Sequence, residues 1–314
     1  MRSFPILSGI APVLVDVGAS LGPPDVWAPI AASSTYVGFD PDRRETGEAP
    51  SRGYRRAYVV AKAVTPDPEA REARFYLTRS PPCSSTLPPD AAALAEHHFA
   101  PLFEVEREAS VPAATLDAVV AELGLPGIDW LKLDTQGTDL RLYASLGERL
   151  RGGLLALDVE PGLIDAYRGE DLFAETHQRL ARDGFWLSRL DVNGAARVRL
   201  SSLRAAFPGE ADPGALAERG IRRSPGWCEA RYLRTLGALA AAGAPPERYE
   251  LLALFALLDG QPGYALDVAL ERERRFGASE AAARLRADAE WRIRHPRRAS
   301  LAERARGWLR RLRA

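Results

Sequence analysis

"VLVDVGASLGPPDVWAPIAASSTYVGFDPD", residues 13–42, opens on a β-branched apolar run that carries an acid, Asp16, near its end. A glycine pair follows, Gly18 and Gly22, then a helix-forming stretch, then a second apolar run that also ends in an acid, Asp40. Short strands of this kind suit a sheet covered on both faces. Pro23 and Pro24 fit a first helical turn, so the stretch predicts a helix to about Ala32. Glycines let a backbone turn sharply and approach a ligand. In open parallel sheets, ligands bind beyond the carboxyl ends of the strands. The plainer alternative is a strand–turn–helix in which Asp16 only caps.

Outward from this stretch, strands alternate with helices. "RAYVVAKAV" (56–64) reads as a third strand, and "EARFYLT" (72–78) and "LFEVEREASV" (102–111) as further extended pieces. "AATLDAVVAELG" (113–124) predicts a helix stopped by Gly124. "GIDWLKLD" (127–134) and "GGLLALDVE" (152–160) are buried strands around one helix, "TDLRLYASLGERL" (138–150). A helix over 169–184 ends at Gly184, and "FWLSRLDVNGAARVRL" (185–200) predicts a hairpin that turns at "DVNG". The pattern predicts a mostly parallel sheet with helices on both faces and an antiparallel edge. Residues 1–200 form the expected sheet domain. Residues 201–314 form a loop-rich, then helical, C-terminal extension.

The chain has 314 residues and a formal net charge of zero, which offers no general attraction for nucleic acid. Cys83 and Cys228 lack metal-ligand spacing. The first residues lack the apolar core of a signal peptide, and no stretch is long and apolar enough to span a bilayer, so the expected location is the cytoplasm. Nearly every basic residue is arginine. Lys62 and Lys132 are the two lysines.

The glycine pattern narrows the ligand. A dinucleotide fingerprint counted from Gly18 needs glycine where Ser20 and Pro23 stand. An acid at the strand end also repels a pyrophosphate. It suits a cationic or neutral nucleoside, and S-adenosylmethionine carries a sulfonium, an ammonium and a ribose without a phosphate.

"DVGASLG" (16–22), "GFDPD" (38–42), "SSTL" (84–87), "ATLDAVV" (114–120), "IDWLKLDTQGTDL" (128–140) and "LALDVE" (155–160) occur in the order seen in FkbM-type methyltransferases, which the chain resembles over about residues 13–190. The resemblance implies a Rossmann-like class I methyltransferase fold and S-adenosylmethionine-dependent O-methylation of a sugar, glycan or natural product. Ser20, Asp40 and Asp139 depart mildly from the family pattern. On matching positions it implies that Asp16, Gly18, Ala19 and Gly22 border the methionine part of the cofactor and that Asp40 holds the ribose. Ala63 and Val64 would neighbour the adenine, and Ser84 and Ser85 would lie in a loop near the cofactor.

Methyl transfer to a hydroxyl needs a proton acceptor or a metal that lowers the hydroxyl pKa. Lys132 and Asp134 stand two apart on one strand and share a face, as do Asp158 and Glu160 on the next. Asp134, Lys132 and Glu160 are the catalytic candidates. Asp134 and Glu160 could also hold Mg2+, and Lys132 could equally form a structural ion pair with a neighbouring carboxylate. His97 and His98 are further candidate bases. Adjacent histidines on a polar helix are more often exposed, and His177 reads as a surface residue. The basic segment 292–314 places Leu301, Ala305, Trp308 and Leu312 at helical spacing, which suits an anionic membrane surface, a partner protein, or simple packing on the body. A methyltransferase-like binding module without catalysis is the alternative function.

Overall fold

A computed structural model describes residues 10–19, 22–41 and 53–296. Its strands are β1 (Val13–Val17), β2 (Thr35–Phe39), β3 (Arg56–Val60), β4 (Ala63–Val64), β5 (Glu72–Thr78), β6 (Val105–Ala114), β7 (Trp130–Leu133), β8 (Ala156–Val159), β9 (Phe185–Ala196) and β10 (Arg223–Arg234). Among the described residues they build a seven-stranded sheet, ordered β3-β2-β1-β7-β8-β10-β9, and a three-stranded sheet, β4-β6-β5. β3, β2, β1, β7 and β8 run parallel. β10 runs antiparallel to both of its neighbours. This is a mostly parallel α/β sheet.

The side chains of the central strands alternate between two cores. Val13, Val15 and Val17 of β1 pack with Leu131, Leu133, Leu157 and Val159 on one face, under helices Leu116–Glu122, Asp139–Ser145 and Phe173–Arg182. On the other face Leu14, Trp130, Ala156 and Leu233 lie side by side in register. Helix Pro246–Leu258 covers them and buries nine consecutive residues, Tyr249 to Leu257. Trp130 lies 4.9 Å from Phe255 and 5.9 Å from Trp27, centroid to centroid. Helices Pro262–Phe276 and Glu280–Arg294 close this layer from outside, and a buried Arg272–Glu250 pair at 2.9 Å joins two of its helices.

Two residues further along each strand, the same face becomes charged. Asp16, Lys132, Asp158 and Arg231 form the next in-register row, alternating in sign. Arg231 donates to both oxygens of Asp158, at 2.6 and 2.9 Å, and to Asp259 at 3.0 Å, and lies 5.0 Å from the Trp130 ring centre. Asp259 directly follows helix Pro246–Leu258, so the row ties the helical layer to the sheet. Burial opposes the Arg231 charge, but Asp158 and Asp259 outweigh it and raise its pKa.

Several expectations need correction. The stretch after Pro24 is a 3-10 helix, Asp25–Ser33, because Pro29 inside it removes an α-helical donor. The third strand divides into β3 and β4, which belong to different sheets. The helix over 138–150 breaks at Gly147, whose N–H bonds Asp117 and whose Cβ would crowd that carboxylate. "DVNG" is not a turn: β9 runs straight through it, paired with β10, and a Cβ on Gly194 would overlap the Ser224 carbonyl. The hairpin partner therefore comes from residues assigned to the extension. A boundary at residue 200 would cut the sheet, since β10 is its penultimate strand rather than an appendage, and the expected antiparallel edge is the β10–β9 pair. No helix among the described residues is long and apolar enough to cross a membrane. The amphipathic pattern from Leu301 lies outside the described residues.

Removing Arg231 leaves Asp158 and Asp259 uncompensated in a half-buried row. Arg231→Met should cost about 3–5 kcal/mol, read from urea denaturation. Arg189, its in-register neighbour on β9, is exposed. Arg189→Met should stay within about 0.5 kcal/mol. Equal effects would show that the row contributes no more than a surface charge.

Candidate functional site

β1 lies between β2 and β7, so the chain order reverses there, and such a switch point opens a crevice beyond the carboxyl ends of the strands. Three strand ends meet at Gly18. Its N–H bonds the Phe39 carbonyl at 3.1 Å, and the Asp134 N–H bonds the Val17 carbonyl at 3.0 Å. Gly18 has φ +86°, and a Cβ there would overlap the Asp134 carbonyl oxygen. Glycine is required here by the neighbouring strand end. The turn continues to Gly22, φ +79°, whose N–H bonds the Ala19 carbonyl at 2.9 Å.

Asp16 lies within β1 rather than beyond it and is 1% exposed. It accepts from Lys132 Nζ at 3.1 Å and from the Tyr36 hydroxyl at 3.3 Å. Gly38, opposite Asp16, leaves room for the Tyr36 ring, since a Cβ there would stand 2.5 Å from the hydroxyl. Burial raises the Asp16 pKa, and the Lys132 ammonium pulls it back. Lys132 also reaches Asp134 Oδ2 at 3.5 Å. Burial acts against its charge, yet Asp16 and Asp134 outweigh that and raise the lysine pKa. The ion pair weighed for Lys132 is thus present, on the floor of the crevice. Asp40, at the end of β2, is buried, and its N–H bonds the Val60 carbonyl at 3.2 Å.

Asp139 joins the loops after β7 and β8. One oxygen accepts from the Thr135 N–H at 3.0 Å and hydroxyl at 2.5 Å, and the other from the Glu160 N–H at 2.7 Å. Burial pushes its pKa up to about 6. Burial, then the charges of Asp134, Asp139 and Glu229, push the Glu160 pKa up to about 9, which favours its protonated form. Asp134 and Glu160, both read as site residues, therefore differ in what they can do. One can accept a proton; the other can donate a hydrogen bond.

Other expected residues lie elsewhere or are engaged. Ala63 is buried in the small sheet, paired with Ala113, and Val64 follows it. Ser84 Oγ accepts from the Thr78 N–H at 3.1 Å, and Ser85 Oγ donates to the Gln136 carbonyl at 2.6 Å. His97 and His98 are buried, not exposed. His98 bonds the Ala196 carbonyl at 3.0 Å and Glu218 at 3.0 Å, which ties its own segment to β9 and to helix Pro213–Gly220. His177 is half-buried, its ring 5.6 Å from that of Phe173. Sequence reasoning missed Gln136, Tyr167 and the Asp139 staple; only Asp139 left a signal, an acid in the first turn of its helix.

Among the described residues, no three histidine, cysteine or acidic side chains are grouped to hold a metal ion. Asp134 Oδ1 already accepts from Gln136 at 2.8 Å, and Oδ2 faces Lys132. Asp16 and Asp134 share one ammonium, Lys132, and Asp40 adds a further carboxyl at the end of β2. Such a crevice disfavours phosphate and favours a cation or a polyhydroxyl group. No family model, curated protein or solved structure matches this chain.

The raised Glu160 pKa has a stability consequence. The folded state holds a proton that the unfolded chain releases near its ordinary carboxyl pKa. The associated stability is present below that pKa and is lost as pH rises toward about 9. Glu160→Gln cannot titrate. The stability of wild type relative to this variant should therefore fall by roughly 1 kcal/mol or more between about pH 5 and pH 9. Parallel curves in denaturant melts across that range would contradict a protonated Glu160.

Proposed function

We propose that this chain is an S-adenosylmethionine-dependent methyltransferase acting on a hydroxyl of a sugar, glycan or natural product. The observation that carries the proposal is the acid-rich crevice at the switch point, with a glycine turn after β1 and an acid at the end of β2. This donor set fits a phosphate-free nucleoside that bears positive charge. Asp40 would hold the ribose, and the turn from Gly18 to Gly22 would border the methionine part, Asp16 and Ala19 included. The mostly parallel sheet is compatible with the class I fold that the sequence resemblance implies.

When bound, S-adenosylmethionine supplies a methyl group already activated on sulfur, so the chain's task is positioning and proton removal. Asp134 accepts the proton of the acceptor hydroxyl. Lys132 and Gln136 hold its two oxygens. Neutral Glu160 donates a hydrogen bond to the acceptor. Magnesium fits these residues less well, because Asp134 already accepts from Gln136 at one oxygen and faces the Lys132 ammonium with the other. A chelator should therefore leave turnover unchanged.

Calorimetry with S-adenosylmethionine tests the proposal directly: no binding would remove it. Asp40→Ala removes a hydrogen bond to a charged group, worth about 1.5–3 kcal/mol, so affinity for S-adenosylhomocysteine should drop roughly ten- to a hundred-fold with the fold intact. Unchanged affinity would sink the ribose assignment. Asp134→Asn should keep cofactor affinity within a few-fold and lower turnover by roughly two orders of magnitude. Wild type that binds S-adenosylmethionine yet methylates no sugar or natural-product hydroxyl would favour the binding-module alternative.

A further inference from the structure

The turn after β7 contains Gln136, at φ +55°, the one non-glycine residue with positive φ among the described residues. Such a backbone is unfavourable for a residue with a side chain and persists only where its surroundings enforce it. Here they do so from three directions. The Gln136 carbonyl accepts from Ser85 Oγ at 2.6 Å. Its side-chain oxygen lies 3.2 Å from the hydroxyl of Tyr167, which is 3% exposed and shares its single proton between that oxygen and the Cys83 carbonyl at 2.8 Å. The following residue, Gly137, has φ +103°, and its carbonyl accepts from the Asp171 N–H at 2.9 Å.

Glycine would adopt this conformation without strain. The side chain that stands here instead donates from Nε2 to Asp134 Oδ1 at 2.8 Å. A carboxylate only accepts, so a flipped amide would set two oxygens against each other at Asp134, and the observed orientation leaves the amide oxygen toward the Tyr167 hydroxyl. Its N–H is therefore aimed at the carboxylate, while Lys132 takes the opposite oxygen.

We infer that Gln136 is a positioning residue for Asp134: the loop holds it in a left-handed conformation so that its amide, with its oxygen set against the Tyr167 hydroxyl, fixes the carboxylate. Its consequence for turnover rests on the methyltransferase reading; the geometry does not. Ser85 belongs to the same device, acting on the backbone of Gln136 rather than on a ligand.

Two variants of the full chain test it, Gln136→Ala and Gln136→Gly. Both remove the amide, and they differ only in tolerance of positive φ. The glycine variant should melt higher than the alanine variant by about 2 °C or more. The Asp134 side chain, assigned by NMR through Asp134→Asn, should occupy one χ1 rotamer in wild type and average between rotamers in both variants. In a methyl-transfer assay, kcat should fall about tenfold or more with the affinity for S-adenosylhomocysteine unchanged. One unchanged Asp134 rotamer in both variants overturns the proposal, and so does equal stability of the two. If wild type fails to bind S-adenosylhomocysteine, the methyltransferase reading falls, while the rotamer and melting comparisons still decide the role of Gln136.

Discussion

The open end of the sheet depends on a row of alternating charges, Asp16, Lys132, Asp158 and Arg231, laid across four adjacent strands. One step toward the other end, the same face carries Leu14, Trp130, Ala156 and Leu233. The strand period of two makes both rows regular, and the change from apolar to charged marks where the core stops. A buried charge is tolerated only when paired and hydrogen-bonded. Arg231 satisfies Asp158 and Asp259, which leaves Lys132 to Asp16 and Asp134. Pairing of this kind adds little net stability over an apolar core. Its effect here is to fix which carboxylates the lysine serves.

Beyond the row, acids with different surroundings divide the work. Asp139 spends both oxygens on the two strand-end loops. Glu170 is bound by the N–H groups of Ala166 and Tyr167, and burial pushes its pKa up to about 7. Burial, and after it the negative neighbours, raises the Glu160 pKa and favours its protonated form. Asp134 stands on the crevice floor between an ammonium and an amide. Separating the protonation of neighbouring carboxyls is how one site can offer both an acceptor and a donor near neutral pH.

Much of this was legible in the sequence where the signal is local. β1, β2, β7 and β8 are continuous apolar runs, and helices Leu116–Glu122 and Phe173–Arg182 end near Gly124 and Gly184, both at positive φ. Period two alone put Lys132 and Asp134 together. What stayed hidden depends on partners distant in the chain. β10, "RSPGWCEARYLR", carries a proline and a glycine and reads as loop up to Trp227 and as helix from Ala230; β8 on one side and β9 on the other make it a strand. Arg231 meets Asp158 across 73 positions, and Ser85 meets Gln136 across 51. A serine beside prolines looks the same whether it faces a ligand or a backbone carbonyl. The positive φ of Gln136 leaves no mark, because the residue type argues against it.

The place of β10 governs how the molecule can be assembled. It is the last strand of the sheet to leave the ribosome, yet it sits between two earlier ones. Until residues 223–234 emerge, the free edge of β8 has no partner, β9 has nothing to lie against, and Asp158 has no counter-ion. Helix Pro246–Leu258, which covers the Trp130 face, comes later still. Folding during synthesis therefore stalls at an incomplete sheet with one apolar face uncovered, a state prone to association through its open strands. Contacts of such long range also slow the final closure. The nascent chain stays open to such association until roughly four fifths of it has been made.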